Sequence, residues 1–204
     1  MRRTVFLSIA SMVFAGALSA QEVSRFAFNV GAGFVEPAYS TGSFTDVGWN
    51  IGGGAGVNFG PYVGALLDVN YNSLGINAPT LSGLGTPGGN INIWSFTIDP
   101  IFHLTPKRKF DVYATGGGGL YRREDQLTVP SGGVGVGFFG EPFPFFYNQV
   151  VSDYTLIKPG WDAGLGIAFG TRWHGKFYAE ARYNQMFTPG GNTDYIPVTF
   201  GFRW

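Results

Sequence analysis

The chain contains no cysteine. That excludes a disulfide framework, a thiol nucleophile and a cysteine-based zinc site. Charge is scarce: Asp, Glu, Lys and Arg make up 13% of the 204 residues, against about 25% in a typical soluble domain. The 13 basic and 13 acidic residues balance, so nucleic acid is not an expected partner. There are two histidines, His103 and His174. Two ligands are too few for a histidine-based metal site, and no cofactor is expected. No helical period stands out, and no run reaches the 18 apolar residues of a helical membrane span. The chain is instead rich in glycine, 33 residues against roughly 7% in average usage, and in aromatics, which make up 17% and include 20 Phe. With 45% hydrophobic residues it has too much to bury to remain disordered. A soluble surface needs more charge than this.

Residues 1–20 read MRRTVFLSIASMVFAGALSA. Arg2 and Arg3 form a positive start, and Val5 to Leu18 is an apolar run of 14 residues. Small residues follow, up to Gln21. This is the layout of a cleaved secretory signal peptide, and the run is too short for a comfortable membrane span. Cleavage falls after Ser19 or Ala20. Residues 21–204 then form one domain, since no composition shift divides them and about 150 residues per domain is usual.

From residue 25 onward a period of two dominates. The alternation predicts eight strands, near 25–35, 46–59, 62–72, 91–104, 110–123, 155–170, 176–187 and 194–204. Longer connections at 36–45, 73–90, 124–154 and 188–193 alternate with tight turns at 60–61, 105–109 and 171–175. Strands joined consecutively in this way give an all-β, antiparallel, up-and-down barrel.

The two faces say which solvent surrounds it. One face of each strand is apolar, and aromatics gather at its two ends. Phe26, Phe59, Phe102, Phe110, Phe169, Phe177 and Trp204 mark one end. Phe34, Trp49, Tyr71, Trp94, Trp161 and Tyr183 mark the other. Phe26 and Phe34, Trp94 and Phe102, and Trp161 and Phe169 are each 8 residues apart. At about 3.3 Å per residue and a tilt near 40°, that is roughly 20–25 Å, close to the apolar band of a transmembrane barrel. The opposite face is mostly Gly, Asn, Ser and Thr with isolated charges, which suits a crowded lumen. An eight-stranded transmembrane β-barrel follows, with both mature termini on the periplasmic side.

The ending Ile196-x-Val198-x-Phe200-x-Phe202-x-Trp204 resembles the C-terminal signature of bacterial outer-membrane proteins. Tyr113-Ala-Thr-Gly-Gly-Gly-Gly-Leu-Tyr121, Phe177-Tyr-Ala-Glu-Ala-Arg-Tyr183 and the C-terminal strand resemble the small OmpA/OmpX-like barrel domains, over about residues 22–204. The resemblance implies that Phe200, Phe202 and Trp204 are read by the barrel assembly machinery. It further implies contact with outer-membrane lipid and lipopolysaccharide. A monomer is expected. The chain stops at Trp204 and lacks the peptidoglycan-binding domain of full OmpA-type proteins, so that function is not implied.

Asp68, Asp99, Lys158, Asp162, Glu180 and Arg182 are predicted to point into the lumen. Buried charges must pair or be hydrated, so these six are expected to form a network that fills and registers the barrel. A charged gate for a narrow pore is the sharper alternative. Eight strands leave an interior that side chains just fill. Both histidines map to the end of the tight turns, the wrong leaflet for the lipid A chemistry that small barrel deacylases perform with a His/Ser pair. Neither has a Ser-plus-acid pattern nearby in sequence, and no enzymatic activity is expected. The glycine runs 52–54 and 116–119 lack the Lys-Ser/Thr of a phosphate loop. Gly116 and Gly118 are candidates to sit beneath outward aromatics. Loop 124–154 is the leading candidate contact surface, since Phe138, Phe139, Phe143, Phe145, Phe146 and Tyr147 lie in it and exposed aromatic patches mark interaction sites. Folding over the barrel mouth, or extension of strands five and six outward, are the alternatives. The expected role is structural or surface-interacting, with a conduit for small or hydrophobic solutes as runner-up.

Overall fold

Alternating apolar and small residues suit a pleated sheet whose two faces meet different surroundings. The computed structural model describes residues 24–106, 109–136, 138–171 and 175–204. The predicted signal peptide, its two candidate cleavage sites and His174 lie outside the described residues. Eight strands pair in chain order, each antiparallel to the next, and close into a barrel. They are β1 (Phe26–Ala38), β2 (Gly48–Asn58), β3 (Val63–Gly75), β4 (Gly88–His103), β5 (Phe110–Val136), β6 (Pro142–Gly170), β7 (Lys176–Met186) and β8 (Thr193–Arg203). The seam lies between β1 and β8. There Phe28 N–H donates to Trp204 O at 2.9 Å and Trp204 N–H donates to Phe28 O at 3.0 Å.

Two sequence expectations change. The first concerns 124–154, which is not a loop. β5 and β6 continue as a paired hairpin from Asp125↔Tyr154 to Val136↔Pro142, with one irregularity at Leu127/Thr128. Only residues 138–141 of its described tip are outside strand, and Gly140 turns the chain with φ +86°. The Gly and Pro content reads as loop in sequence. In the hairpin, Gly133 and Gly135 lie opposite Phe145 and Phe143, and prolines on a free strand edge forfeit no ladder bond. The second concerns helix. A short one, α1 (Ala78–Leu84), interrupts 73–90. It is too short to show a period. Its caps define it: the Asn77 side chain accepts from Thr80 N–H at 3.1 Å, and Gly85 ends it with φ +67°.

The outward face is apolar and uncovered. Leu67, Ile98 and Leu165, near the middle of their strands, are 63%, 62% and 66% exposed. A water-soluble barrel hides such residues, and lipid accepts them. The aromatics at each end touch in short runs along neighbouring strands. Trp49, Tyr71 and Trp94 pack as tilted neighbours with ring centroids 5.3 and 4.9 Å apart, and Trp161 meets Tyr183 at 5.4 Å. At the turn end Phe177, Phe202 and Trp204 pack in series at 5.2 and 5.8 Å.

The core is therefore the lumen, and it is layered. Toward the long connections lies an apolar layer of Val35, Leu74, Ile91, Ile93, Tyr121, Met186 and Tyr195. Toward the turns lies a second layer of Ala27, Leu66, Ile101, Tyr113, Ala168 and Tyr178. The charged layer sits between them. The inward glycines make room for the large rings. A Cβ on Gly160 would meet Tyr121 at 2.8 Å, and one on Gly166 would collide with the tip of Tyr113. Gly116 and Gly118 meet the backbone and the first side-chain atoms of β6 rather than aromatic rings.

Candidate functional site

The charged layer is built around one guanidinium. Glu180 and Arg182 alternate inward on β7, and β3, β4 and β6 aim Asp68, Asp99 and Asp162 at them. Arg182 Nη1 donates to Asp99 Oδ2 at 2.6 Å and lies 3.5 Å from Asp162 Oδ1. Nη2 donates to Asp68 Oδ2 at 3.1 Å and to Glu180 Oε1 at 2.7 Å, and Nε donates to the same Glu180 oxygen at 3.0 Å. All five residues are buried. Second partners brace the carboxylates: Thr97 Oγ1–H donates to Asp99 at 2.7 Å, Asn29 Nδ2 to Asp68 at 3.0 Å, and Tyr121 O–H to Asp162 at 3.3 Å. Because taking an ion out of water costs several kcal/mol, such a set holds together only when every member finds partners.

Of the six predicted luminal charges, the structure brings five together. Lys158 stands apart, because it lies nearer the long connections, opposite Tyr121, and is half-buried there. It makes no ion pair among the described residues. Sequence reasoning missed Arg203 as a further luminal cation. Its guanidinium stacks on Tyr113 and Tyr178 at 4.7 and 5.1 Å and reaches Glu180 Oε2 at 3.9 Å. Its place in the inward frame of β8 was the available signal. The apolar layer above was also missed, although Ile91 and Ile93 share the inward frame of Ser95 and Asp99.

The space left over is small. A cavity of about 20 Å³ lies among Asn50, Asn72, Ser95, Arg182 and Asn184, room for about one water. A larger opening of about 250 Å³ lies at the turn end, bordered by Ala27, Leu66 and Ile101 of the second apolar layer together with His103 and Arg203. Another of about 350 Å³ at the loop end is bordered by Phe44, Arg123, Asp125 and Tyr154. Arg123 there holds Asp125 through Nε at 2.6 Å and Nη2 at 2.8 Å, and donates through Nη1 to Thr193 Oγ1 at 2.8 Å.

His103 lies at the turn end and does have an acid partner, which sequence proximity had not suggested. Its Nδ1 lies 2.6 Å from Asp111 Oδ2, to which Lys176 Nζ donates at 3.3 Å. The β4–β5 turn places Asp111 beside His103. No serine hydroxyl bonds this histidine among the described residues.

The aromatic set on the β5–β6 hairpin divides by position. Phe143, Phe145 and Tyr147 alternate along one face, with ring centroids 6.3 and 5.9 Å apart. Phe138 and Phe139 meet edge to face at the tip, at 5.3 Å. Phe146 faces the other way and is exposed. Phe200 points outward from β8, while Phe202 and Trp204 belong to the turn-end run already described.

A family model described as the outer membrane protein beta-barrel domain matches residues 5–204. Neisserial surface protein A is similar in structure, with a TM-score of 0.57 at 13% identity, over 88% of this chain and 96% of that one. The outer membrane protein OprG from Pseudomonas aeruginosa has a TM-score of 0.51 at 14% identity, over 91% and 99%. At such identities the likeness is one of fold. No curated protein sequence matches.

Proposed function

The chain belongs to the outer membrane protein beta-barrel domain family, and on that premise we propose that it is a non-enzymatic surface protein whose filled barrel anchors the β5–β6 hairpin as a contact surface. Residues 1–20 act as its cleaved leader, and the hairpin faces outward from the cell. The termini lie at the periplasmic end, where Phe200, Phe202 and Trp204 serve the assembly machinery. Lipid and lipopolysaccharide surround the belt.

The observation that carries this reading is the contrast between the two halves of the molecule. The lumen is closed by packed apolar and charged layers, whereas β5 runs on past the end of its pairing with β4 at Thr128 to Val136, roughly 25 Å of free strand. A barrel that serves only as a conduit has no use for such a projection, and the closed lumen counts against the runner-up. Deleting residues 132–149 tests the proposal. The barrel should still assemble and migrate differently on a denaturing gel before and after boiling, while adhesion of expressing cells to their target surface should be lost. Unchanged adhesion would remove the hairpin from the function.

A further inference from the structure

Past Thr128 and Gln149, the hairpin is a free ribbon of two strands, because the pairing of β5 with β4 ends at Thr128. Such a ribbon is marginal in water, and its composition is unusual in two respects. First, one face is a line of aromatic rings set over glycines. Phe145 reaches across to Gly133, where a Cβ would meet the ring tip at 2.8 Å, and Phe143 reaches across to Gly135 at the same distance. The rings therefore lie across the ribbon instead of standing off it. Tyr147 continues the line with its plane 24° from that of Phe145, and Phe143 at the outer end is turned by 50° from Phe145. Each ring stays about half exposed. Second, the hairpin carries no cation. Between Glu124 and Ile157 the charged residues are Glu124, Asp125, Glu141 and Asp153, all acidic.

We propose that Phe143, Phe145 and Tyr147 form a platform for a neutral glycan, on which successive pyranose rings lie against successive aromatic rings. This deepens the reading of the hairpin as a contact surface and rests on it. The electronegative face of an aromatic ring attracts the polarised C–H groups on the flat side of a sugar. A line of rings about 6 Å apart repeats on the scale of one sugar residue along an extended chain. Ser131 and Gln149, hydrogen-bonded to each other at 3.1 Å at the inner end of the line, offer partners for hydroxyls. Charge selects among glycans: Glu124 and Asp125 are paired with Arg122 and Arg123, and the free ribbon itself carries one carboxylate, Glu141, and no cation, so nothing on it attracts sulfated or uronic polymers. The ribbon edges disfavour a protein strand, since Pro130, Pro142 and Pro144 have no N–H to offer it.

The test uses the full mature protein in lipid nanodiscs, with cellohexaose and maltohexaose as neutral probes and heparin as the anionic one. Saturation-transfer NMR should show contact at the sugar ring hydrogens for a neutral probe, and titration should show its Kd raised at least tenfold by Phe143→Leu, Phe145→Leu and Tyr147→Leu together. Leucine keeps apolar cover over the glycines, so the ribbon is retained; Phe146→Leu on the opposite face should leave the Kd within twofold. The proposal is overturned if neither neutral probe binds, if the triple variant binds as the parent does, or if heparin binds more tightly. Self-association through the ribbon that the leucine variants abolish also overturns it, in favour of a protein contact. Loss of adhesion on deleting 132–149 without glycan binding removes the glycan and leaves the contact surface standing.

Discussion

Arg182 and Asp99 are 83 residues apart in sequence and 2.6 Å apart across the closed lumen. With Asp68, Asp162 and Glu180 on the same guanidinium, this contact ties four strands together through the barrel interior. Replacing Arg182 with Ala leaves buried Asp68, Asp99 and Asp162 without a cation and Glu180 with only Arg203 at 3.9 Å. The expected loss is about 3–5 kcal/mol of stability, the cost of breaking a buried pair from one side. Urea unfolding in lipid vesicles, followed by tryptophan fluorescence, measures it. A loss below about 1 kcal/mol would mean that water already relieves the carboxylates, since that is the scale of a solvated pair.

Leu165 is expected to be sensitive to charge although it touches little protein. It sits mid-strand on the outward face and is 66% exposed. Leu165→Arg should cost about 2–4 kcal/mol in a bilayer, because the belt surrounds that position with hydrocarbon. Phe138→Arg at the hairpin tip, where the side chain is still more exposed, should change stability by no more than about 0.5 kcal/mol. Equal effects at the two sites would contradict the lipid belt.

The parent protein should give no porin-sized current steps in a planar bilayer. The apolar layer around Tyr121 and Tyr195 and the charged layer below it leave room for about one water. Stable, large steps at moderate voltage would show that these layers open.

Trp204 should separate folding from assembly. Its backbone pairs with Phe28 whatever its side chain, so Trp204→Ala should refold from urea into detergent with a yield within twofold of the parent. In cells the same substitution should lower outer-membrane levels several-fold, read by the heat-shifted gel band. An equal drop in both settings would make Trp204 a packing residue rather than an assembly signal.

Some of this was legible in the sequence because a strand carries its own address. With a period of two, the residues flanking Trp94 or Trp161 are assigned to opposite faces without any tertiary knowledge, and aromatics 8 residues apart give the belt its height. The barrel, its strand number and the inward frame of Asp68, Asp99, Asp162, Glu180 and Arg182 come from that rule alone. The hairpin escaped it. Gly and Pro between 130 and 144 weaken the local strand signal, and only pairing with the facing strand supplies the rings that cover the glycines. Depth along the strand escaped it as well. Lys158 and Arg203 share the inward frame with the charged layer, yet register places Lys158 opposite Tyr121 and Arg203 between two tyrosine rings. Alternation within one strand determines which way a side chain faces. Which side chains then meet depends on the stagger between strands far apart in sequence, and closure of the barrel decided that here.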